Sequence, residues 1–243
     1  NIESLNYKKE NVLIQLEGSK NKKNEIKIKD FFINEKENRN RAQNIKLNKS
    51  LEIVKLGTVS FNYTDQENQK NQIKFYPMKN KYILKGPSFN ANSLVDDLLF
   101  KDQNSNFFNI NTTIEVSIDK IFLDNEYDLF NFNGNIIFKN KEIVKANLNG
   151  SFSNNKKLNF TINTNDNNKI TTLYIDKAEP IVKRYKFIKG FDNGILDFYS
   201  SKKLNESTST LKIYDFNLKE LPALTKILTL ASLQGIADIL SGD

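Results

Sequence analysis

The sequence predicts a mainly β fold in which a long antiparallel sheet dominates and a few short helices are added. Three observations lead to this prediction. Apolar and polar residues alternate along most of the 243 residues, which is the period of a strand with one buried face. Short Asn- and Gly-rich segments separate the alternating runs, as is typical of neighbouring antiparallel strands. Helical spacing is confined to three segments.

The strand pattern is clearest in residues 114–119, where Ile114, Val116 and Ile118 alternate with Glu115, Ser117 and Asp119. The same period appears in four later segments, residues 158–162, 172–175, 196–198 and 211–214. Similar runs occupy residues 11–16, 25–33, 45–63, 72–76 and 136–152. We therefore expect strands along nearly the whole chain.

Turns are predicted where residues that tolerate a positive φ interrupt the alternation. Five positions fit this description: Asn133-Gly134, Asn149-Gly150, Asn154-Asn155, Asp166-Asn167-Asn168 and Asn193-Gly194. Because such turns are short, the sequence predicts a meander of hairpins.

Two short helices are predicted inside the chain. Residues 93–100 have apolar residues at helical spacing, and Ser93 is placed to cap the first turn. Residues 176–188 show the same spacing, with Asp176 as the expected cap and Glu179 three residues later. Both segments would interrupt the meander.

A longer C-terminal helical segment is predicted over residues 221–240. Pro222 fits its first turn, and leucines recur along one side of it. Lys226 and Asp238 interrupt the apolar run, so a membrane-spanning helix is not expected there.

Composition argues against most enzyme classes. The chain contains no His, Cys or Trp, which removes thiol chemistry, thiolate metal sites and the side chain that titrates near neutral pH. The formal net charge is +7, but lysines alternate with acidic residues along most of the chain and do not form a basic block. We therefore predict no enzyme, no cofactor, no metal and no nucleic-acid partner.

One acidic segment has the residue types of a metal or acid–base site. Asp124, Glu126 and Asp128 stand at alternate positions, as the first ligands of a calcium loop do. Such a loop continues with a glycine and a later glutamate, whereas Phe130 and Phe132 follow here. The segment is therefore interpreted as an acidic hairpin turn.

The apolar face of the predicted strands must meet a second sheet, a helix or an apolar ligand. Alternation alone favours a packed core, because it does not show what covers the face. The other interpretation is a long curved, groove-like sheet whose concave face is partly open and binds acyl chains. Its candidate lining residues are Ile114, Val116, Ile118, Leu158, Phe160, Ile162, Leu173, Ile175, Leu196, Phe198, Leu211 and Ile213.

The C-terminal part of the chain resembles the AsmA-like proteins, in particular their large YhdP-type branch. The shared signature is a strand ending in Asp-Phe, a helix start with Pro, a Leu-rich helix with a Ser-Leu-x-Gly turn and a closing Leu-x-Gly. Its positions here are Asp215, Phe216, Pro222, Leu224, Leu228, Ser232, Leu233, Gly235 and Gly242. Two weaker elements lie upstream, in residues 84–91 and 176–196, with Asn90 where the family usually has Asp.

This resemblance implies a bridge-like lipid-transfer protein of the Gram-negative cell envelope. It implies a periplasmic β-groove along which phospholipids move between the inner and outer membranes, in support of outer membrane biogenesis. The chain would then be a piece of a longer protein that an upstream segment anchors in the inner membrane. Residues 1–83 would be a β-strand groove segment that continues from missing upstream residues, and residues 84–243 the AsmA-like C-terminal domain.

A second function stays open at this point. The same strands could form a structural or regulatory β-domain that takes part in outer-membrane assembly without transporting lipid. The two functions differ in whether lipid or protein covers the apolar face.

Overall fold

The structure, a computed structural model, describes residues 2–9, 11–21, 25–93, 111–140, 142–184, 190–203 and 206–219. Fourteen strands lie side by side in one sheet, and a fifteenth short strand pairs with one of them. The sheet is not closed, so β1 and β15 are its two edges. The prediction of a mainly β fold with a long antiparallel sheet is confirmed.

The strands are long and follow one another closely in the chain. Their bounds are β1 Ile2–Lys9, β2 Val12–Lys20, β3 Ile26–Glu35, β4 Asn38–Leu47, β5 Ile53–Lys55, β6 Thr58–Thr64, β7 Lys70–Met78, β8 Lys81–Asn90, β9 Thr112–Phe122, β10 Asp128–Lys139, β11 Glu142–Phe152, β12 Lys157–Asn165, β13 Asn168–Ile175, β14 Phe191–Lys203 and β15 Glu206–Leu218. One four-residue helix, α1 Glu179–Val182, connects β13 to β14, and a 3₁₀ turn, Ser153–Asn155, connects β11 to β12.

The sheet consists of two antiparallel runs joined by one parallel pair. Strands β1 to β8 follow each other as antiparallel neighbours, apart from β5, which pairs only with β4. Strand β9 then lies parallel to β8, with Leu84 opposite Val116. Strands β9 to β15 continue as antiparallel neighbours. A parallel pair needs a crossover connection, and residues 91–111 provide it here.

The proposed boundary at residues 83/84 lies inside β8. Strand β8 pairs with β7 on one side and with β9 on the other, so the sheet runs through this position without interruption.

Three of the five predicted turns lie inside strands, so those predictions are wrong. Gly134 belongs to β10, Gly150 to β11 and Gly194 to β14. Residues with positive φ also form β-bulges, and a bulge uses the same Asn-Gly chemistry as a turn without ending the strand. At Gly134, with φ of 146°, an added Cβ would lie 1.9 Å from the carbonyl oxygen of Asn147. The close approach of the neighbouring strand therefore requires glycine here.

The other two turns lie where the sequence predicts them. Asn154 and Asn155 have φ of 69° and 60° in the turn between β11 and β12. Asp166 and Asn167 have φ of 47° and 63° between β12 and β13. Both connections are tight, as an antiparallel meander requires.

Helix α1 is shorter than predicted and starts later. It begins after Ala178, and Asp176 does not cap it. The Asp176 carboxylate instead accepts a hydrogen bond from the backbone N–H of Lys157, at 3.1 Å. Residues 94–100 of the first predicted helix, residues 185–188 of the second and the C-terminal segment 221–240 lie outside the described residues.

The hydrophobic core lies on one face of β7 to β15. It continues under α1, where Ala178 and Val182 are buried together with Phe191 at the start of β14. We call the strand ends that meet α1 the cap end, and the opposite ends, where β12 ends and β13 begins, the far end.

Candidate functional site

A row of cross-strand neighbours runs through thirteen strands on one face of the sheet. Directly paired residues point to the same side, so the register fixes which side chains form the row. From β2 to β15 these residues are Leu16, Phe31, Ala42, Val59, Phe75, Leu84, Val116, Gly134, Leu148, Phe160, Leu173, Phe198 and Leu211. Every member is apolar. With strands ~4.8 Å apart, the row is roughly 60 Å long. We call this side of the sheet the apolar face.

All twelve candidate lining residues lie on the apolar face. Val116, Phe160, Leu173, Phe198 and Leu211 belong to the row itself. One row nearer the cap end, Leu158, Ile175, Leu196 and Ile213 are successive cross-strand partners. Ile118 lies two residues from Val116 towards the cap end, and Ile114 and Ile162 lie two residues from the row towards the far end. The period of the sequence therefore identified one continuous surface.

The opposite face of the sheet is polar. Asn135, Asn147, Thr161, Thr172 and Thr210 occupy one cross-strand row, together with the exposed Tyr199. The hydroxyls of Thr161 and Thr172 lie 2.7 Å apart and form a hydrogen bond. Each strand of this region is thus apolar on one side and polar on the other.

Coverage of the apolar face differs between its two halves. Over β9 to β14 several candidates are fully packed: Ile175 is 0% exposed, Phe198 1% and Leu196 2%. Ile114, Val116, Ile118 and Ile162 are also buried, whereas Leu158, Phe160, Leu173, Leu211 and Ile213 are half-buried. Protein therefore covers much of the face in this half.

The half formed by β2 to β6 is more open. Leu16, Phe31, Ala42 and Val59 are half-buried and lie outside the core cluster, and Phe61 is 42% exposed. The alternation predicts strands here, but these residues are not among the twelve candidate lining residues. The signal that could have found them is the same alternation, visible in Ile14 and Leu16 of β2.

A polar cluster holds α1 against the cap end. The buried carboxylate of Glu179 accepts hydrogen bonds from the Tyr127 hydroxyl, at 3.2 Å, and from the backbone N–H of Asn193, at 2.8 Å. The Lys183 ammonium donates to the Tyr127 hydroxyl at 2.7 Å, and this bond raises the pKa of Lys183. Burial raises the pKa of Tyr127. These groups bond to one another, so the cluster fixes α1 against the cap end of the core.

Only Asp215 and Phe216 of the nine family-motif positions lie in the described part of the chain. Asp215 is exposed and has a positive φ of 55°. The Phe216 ring stacks on Phe191, with 5.4 Å between centroids. Pro222, Leu224, Leu228, Ser232, Leu233, Gly235 and Gly242 lie outside the described residues.

The acidic segment forms the turn between β9 and β10. Asp124 accepts hydrogen bonds at 2.7 Å from the backbone N–H groups of Glu126 and Tyr127, which is the geometry of an Asx turn. Among the described residues no group of three or more carboxylates could hold a metal ion. The carboxylates therefore stabilise a hairpin.

A shallow depression of about 480 Å³ lies on the polar face, over β6 to β9. Its lining includes Ser60, Lys74, Lys85 and Asp119. Lys74 and Lys85 both lie over the Tyr76 ring, at 5.5 and 5.7 Å from its centroid. A shallow depression that is open to solvent lacks the enclosure of a small-molecule site.

Comparison with known proteins finds no matching family model, no matching curated protein and no matching solved structure. The resemblance to AsmA-like proteins therefore stays a prediction that rests on the motif residues. In the described part of the chain, no helix is both long and apolar enough to cross a membrane.

Proposed function

We propose that this protein binds the acyl chains of phospholipids on the apolar face and carries them along the sheet. The observation that supports the proposal is the uninterrupted apolar row across thirteen strands. The hydrophobic effect holds an acyl chain on this surface and contributes ~25 cal/mol for each Å² of apolar surface removed from water. Over β2 to β6 the row consists of half-buried apolar side chains, so an acyl chain that moves along this part of the row meets no polar side chain.

Under this proposal, a lipid first binds at the open half of the apolar face, over β2 to β6. Leu16, Phe31 and Val59 are half-buried, so their side chains still have surface to offer a ligand. In a soluble protein, a contiguous apolar surface left uncovered marks an interaction site. The cellular setting follows from the family resemblance alone: the Gram-negative periplasm, with transfer between the inner and outer membranes by a protein that an upstream segment anchors.

The packed half of the face supports a second candidate function. Ile175, Leu196 and Phe198 have almost no accessible surface, as in the core of a structural domain. A β-domain that serves envelope assembly without carrying lipid would need only a packed core of this kind. The two candidates make opposite predictions for the open half of the face.

The test is a pair of substitutions in β2 that place the same charge on opposite faces. Leu16→Glu puts a carboxylate on the apolar face, and Gln15→Glu puts one on the polar face at the adjacent position. We expect Leu16→Glu to reduce the amount of phospholipid bound per protein at least fivefold, because an acyl chain that contacts residue 16 would then have to desolvate the carboxylate. The measurement is lipid phosphorus that remains with the folded protein after incubation with vesicles and gel filtration.

Gln15→Glu is expected to bind as much lipid as the unsubstituted protein. Circular dichroism and the unfolding midpoint establish that both variants are folded. Equal lipid binding by folded Leu16→Glu and Gln15→Glu would contradict binding on the apolar face. If the original protein binds no lipid, the structural function is favoured.

A further inference from the structure

A polar row borders the apolar face at the far end of β12 to β15. Thr164, Lys169, Lys202 and Ser207 are successive cross-strand partners on these four strands. Each lies an even number of positions from an apolar-face residue of its own strand, so all four lie on that face. We call these four residues the lysine row.

Polarity changes in steps along the strands of this region. Near the cap end the cross-strand rows are apolar; Leu158 and Leu173 are half-buried there, whereas Ile175 is packed against protein. The next row has Thr171, Ser200 and Ser209 beside Ile162, and the lysine row follows. From Ile175 to Lys169 the distance is roughly 20 Å at ~3.4 Å per residue. An apolar surface that ends in hydroxyls and then ammonium groups matches the polarity of an amphiphile with an anionic end.

Buried hydroxyls in these two rows lack hydrogen-bond partners. Thr171 is 0% exposed, and its Oγ1 has no partner. The hydroxyl oxygens of Thr164 and Ser207 are also buried without a partner. Buried polar groups in native proteins are nearly always hydrogen-bonded. Two of these hydroxyls lie beside Lys169, since Thr164 is its cross-strand partner and Thr171 is two residues along β13, and they indicate an acceptor that binds there. Ser200 and Ser209, by contrast, bond to each other at 2.9 Å.

The charge of the lysine row points to the same kind of ligand. Among the described residues, the ammonium group of Lys169 has no ion-pair or hydrogen-bond partner, and Glu142 is the carboxylate whose charge raises its pKa. Burial lowers the pKa of Lys169, and the nearby Lys202 lowers it further against the opposing effect of Glu142. An oxyanion beside Lys169 would offset the cost of its buried charge.

We infer that the lysine row binds a phosphate oxyanion, with the ammonium group of Lys169 as its main charge and the hydroxyls of Thr164 and Thr171 as donors. This inference rests on the proposed function, since it identifies the phosphate as the headgroup of a lipid whose chain lies on the adjoining apolar face. A free phosphate has the same chemistry, and the experiment separates the two sources.

The experiment titrates the full chain with three probes: short-chain phosphatidylglycerol below its micelle concentration, diacylglycerol with the same acyl chains, and inorganic phosphate. For the original protein we expect phosphatidylglycerol to bind at least tenfold more tightly than diacylglycerol. Lys169→Gln is expected to remove most of this difference and to leave diacylglycerol binding unchanged. Lys203→Gln is the matched control, because it removes the same charge on β14 one position from Lys202 and on the polar face.

The outcomes distinguish the two proposals. Equal binding of phosphatidylglycerol and diacylglycerol to the original protein overturns the phosphate site and leaves acyl-chain binding intact. An equal loss in Lys169→Gln and Lys203→Gln also overturns it, since net charge alone then explains the preference. If inorganic phosphate binds in a Lys169-dependent way and neither lipid binds, the site stands as one for free phosphate and the proposed lipid function fails.

Discussion

Asp65 shows how one carboxylate can organise several strands. Its Oδ1 accepts the backbone N–H groups of Glu67 and Gln69, both at 2.9 Å, in the turn between β6 and β7. Its Oδ2 accepts the side-chain amides of Asn71 at 2.9 Å and Asn90 at 2.7 Å, which link the turn to β7 and β8. Burial by itself raises the pKa of Asp65, but these bonds prevail and lower it below 3.8. The carboxylate therefore stabilises the junction before the crossover.

Asp65→Asn is expected to lower the free energy of unfolding by about 1–3 kcal/mol at pH 7, because an amide group cannot accept all four bonds. Because the folded pKa of Asp65 is depressed, its contribution is present above pH 3.8 and is lost as the pH falls through the lowered value. The original protein and the variant should therefore converge in acid. Urea unfolding at pH 7 and pH 3 measures this.

The control for this substitution is Asp166→Asn, in the exposed turn between β12 and β13. It should change the unfolding free energy by less than about 0.5 kcal/mol. A loss in Asp65→Asn no larger than that of the control at pH 7 would contradict the role assigned to the carboxylate.

At the scale of elements, α1 depends on tertiary contacts more than on its own length. A four-residue helix makes few internal hydrogen bonds, and its N-cap residue Ala178 provides no side-chain cap. Its position comes from buried Pro180 and Val182 and from the Glu179 carboxylate, which binds β14 and the β9–β10 turn. This helix closes the cap end of the core.

Glu179→Gln is expected to destabilise the protein by about 1–3 kcal/mol, since the Asn193 N–H and the Tyr127 hydroxyl would then share a neutral amide in place of the buried carboxylate. Thermal unfolding followed by circular dichroism measures the change. Glu126→Gln is the matched control, because Glu126 is exposed and its contact with Lys183 is 3.6 Å long. Equal melting temperatures for the two variants would show that the cluster does not fix α1.

The sequence predicted the faces of the elements better than their ends. Alternation placed Ile114, Phe160 and Leu211 on one face because the strand period follows from backbone geometry alone. Asn193-Gly194 was predicted as a turn, yet it forms an irregularity within β14, because the same residues satisfy both a bulge and a turn. Whether these residues form a bulge or a turn depends on the neighbouring strand, and the local sequence pattern does not show where that strand lies.

At the scale of the whole molecule, register and strand order decide what the faces can do. The row from Leu16 to Leu211 exists only because the parallel pair of β8 and β9 keeps Leu84 opposite Val116. Neither this parallel junction nor the juxtaposition of Lys169 and Lys202 could be predicted, since both are cross-strand relations between distant positions. The candidate surface was predictable as a face, whereas its open half and its polar border required the structure.

The most direct test of the central claim uses two adjacent positions in β6. The chain has no cysteine, so Val59→Cys and Ser60→Cys each provide one labelling site for a fluorophore, on the apolar and the polar face respectively. The measurement is the quenching of each label by a phospholipid that carries a spin label in its acyl chain. Binding on the apolar face predicts strong quenching at position 59 and little at position 60. Equal quenching at both positions, or none at 59, would contradict the claim that this face carries the acyl chain.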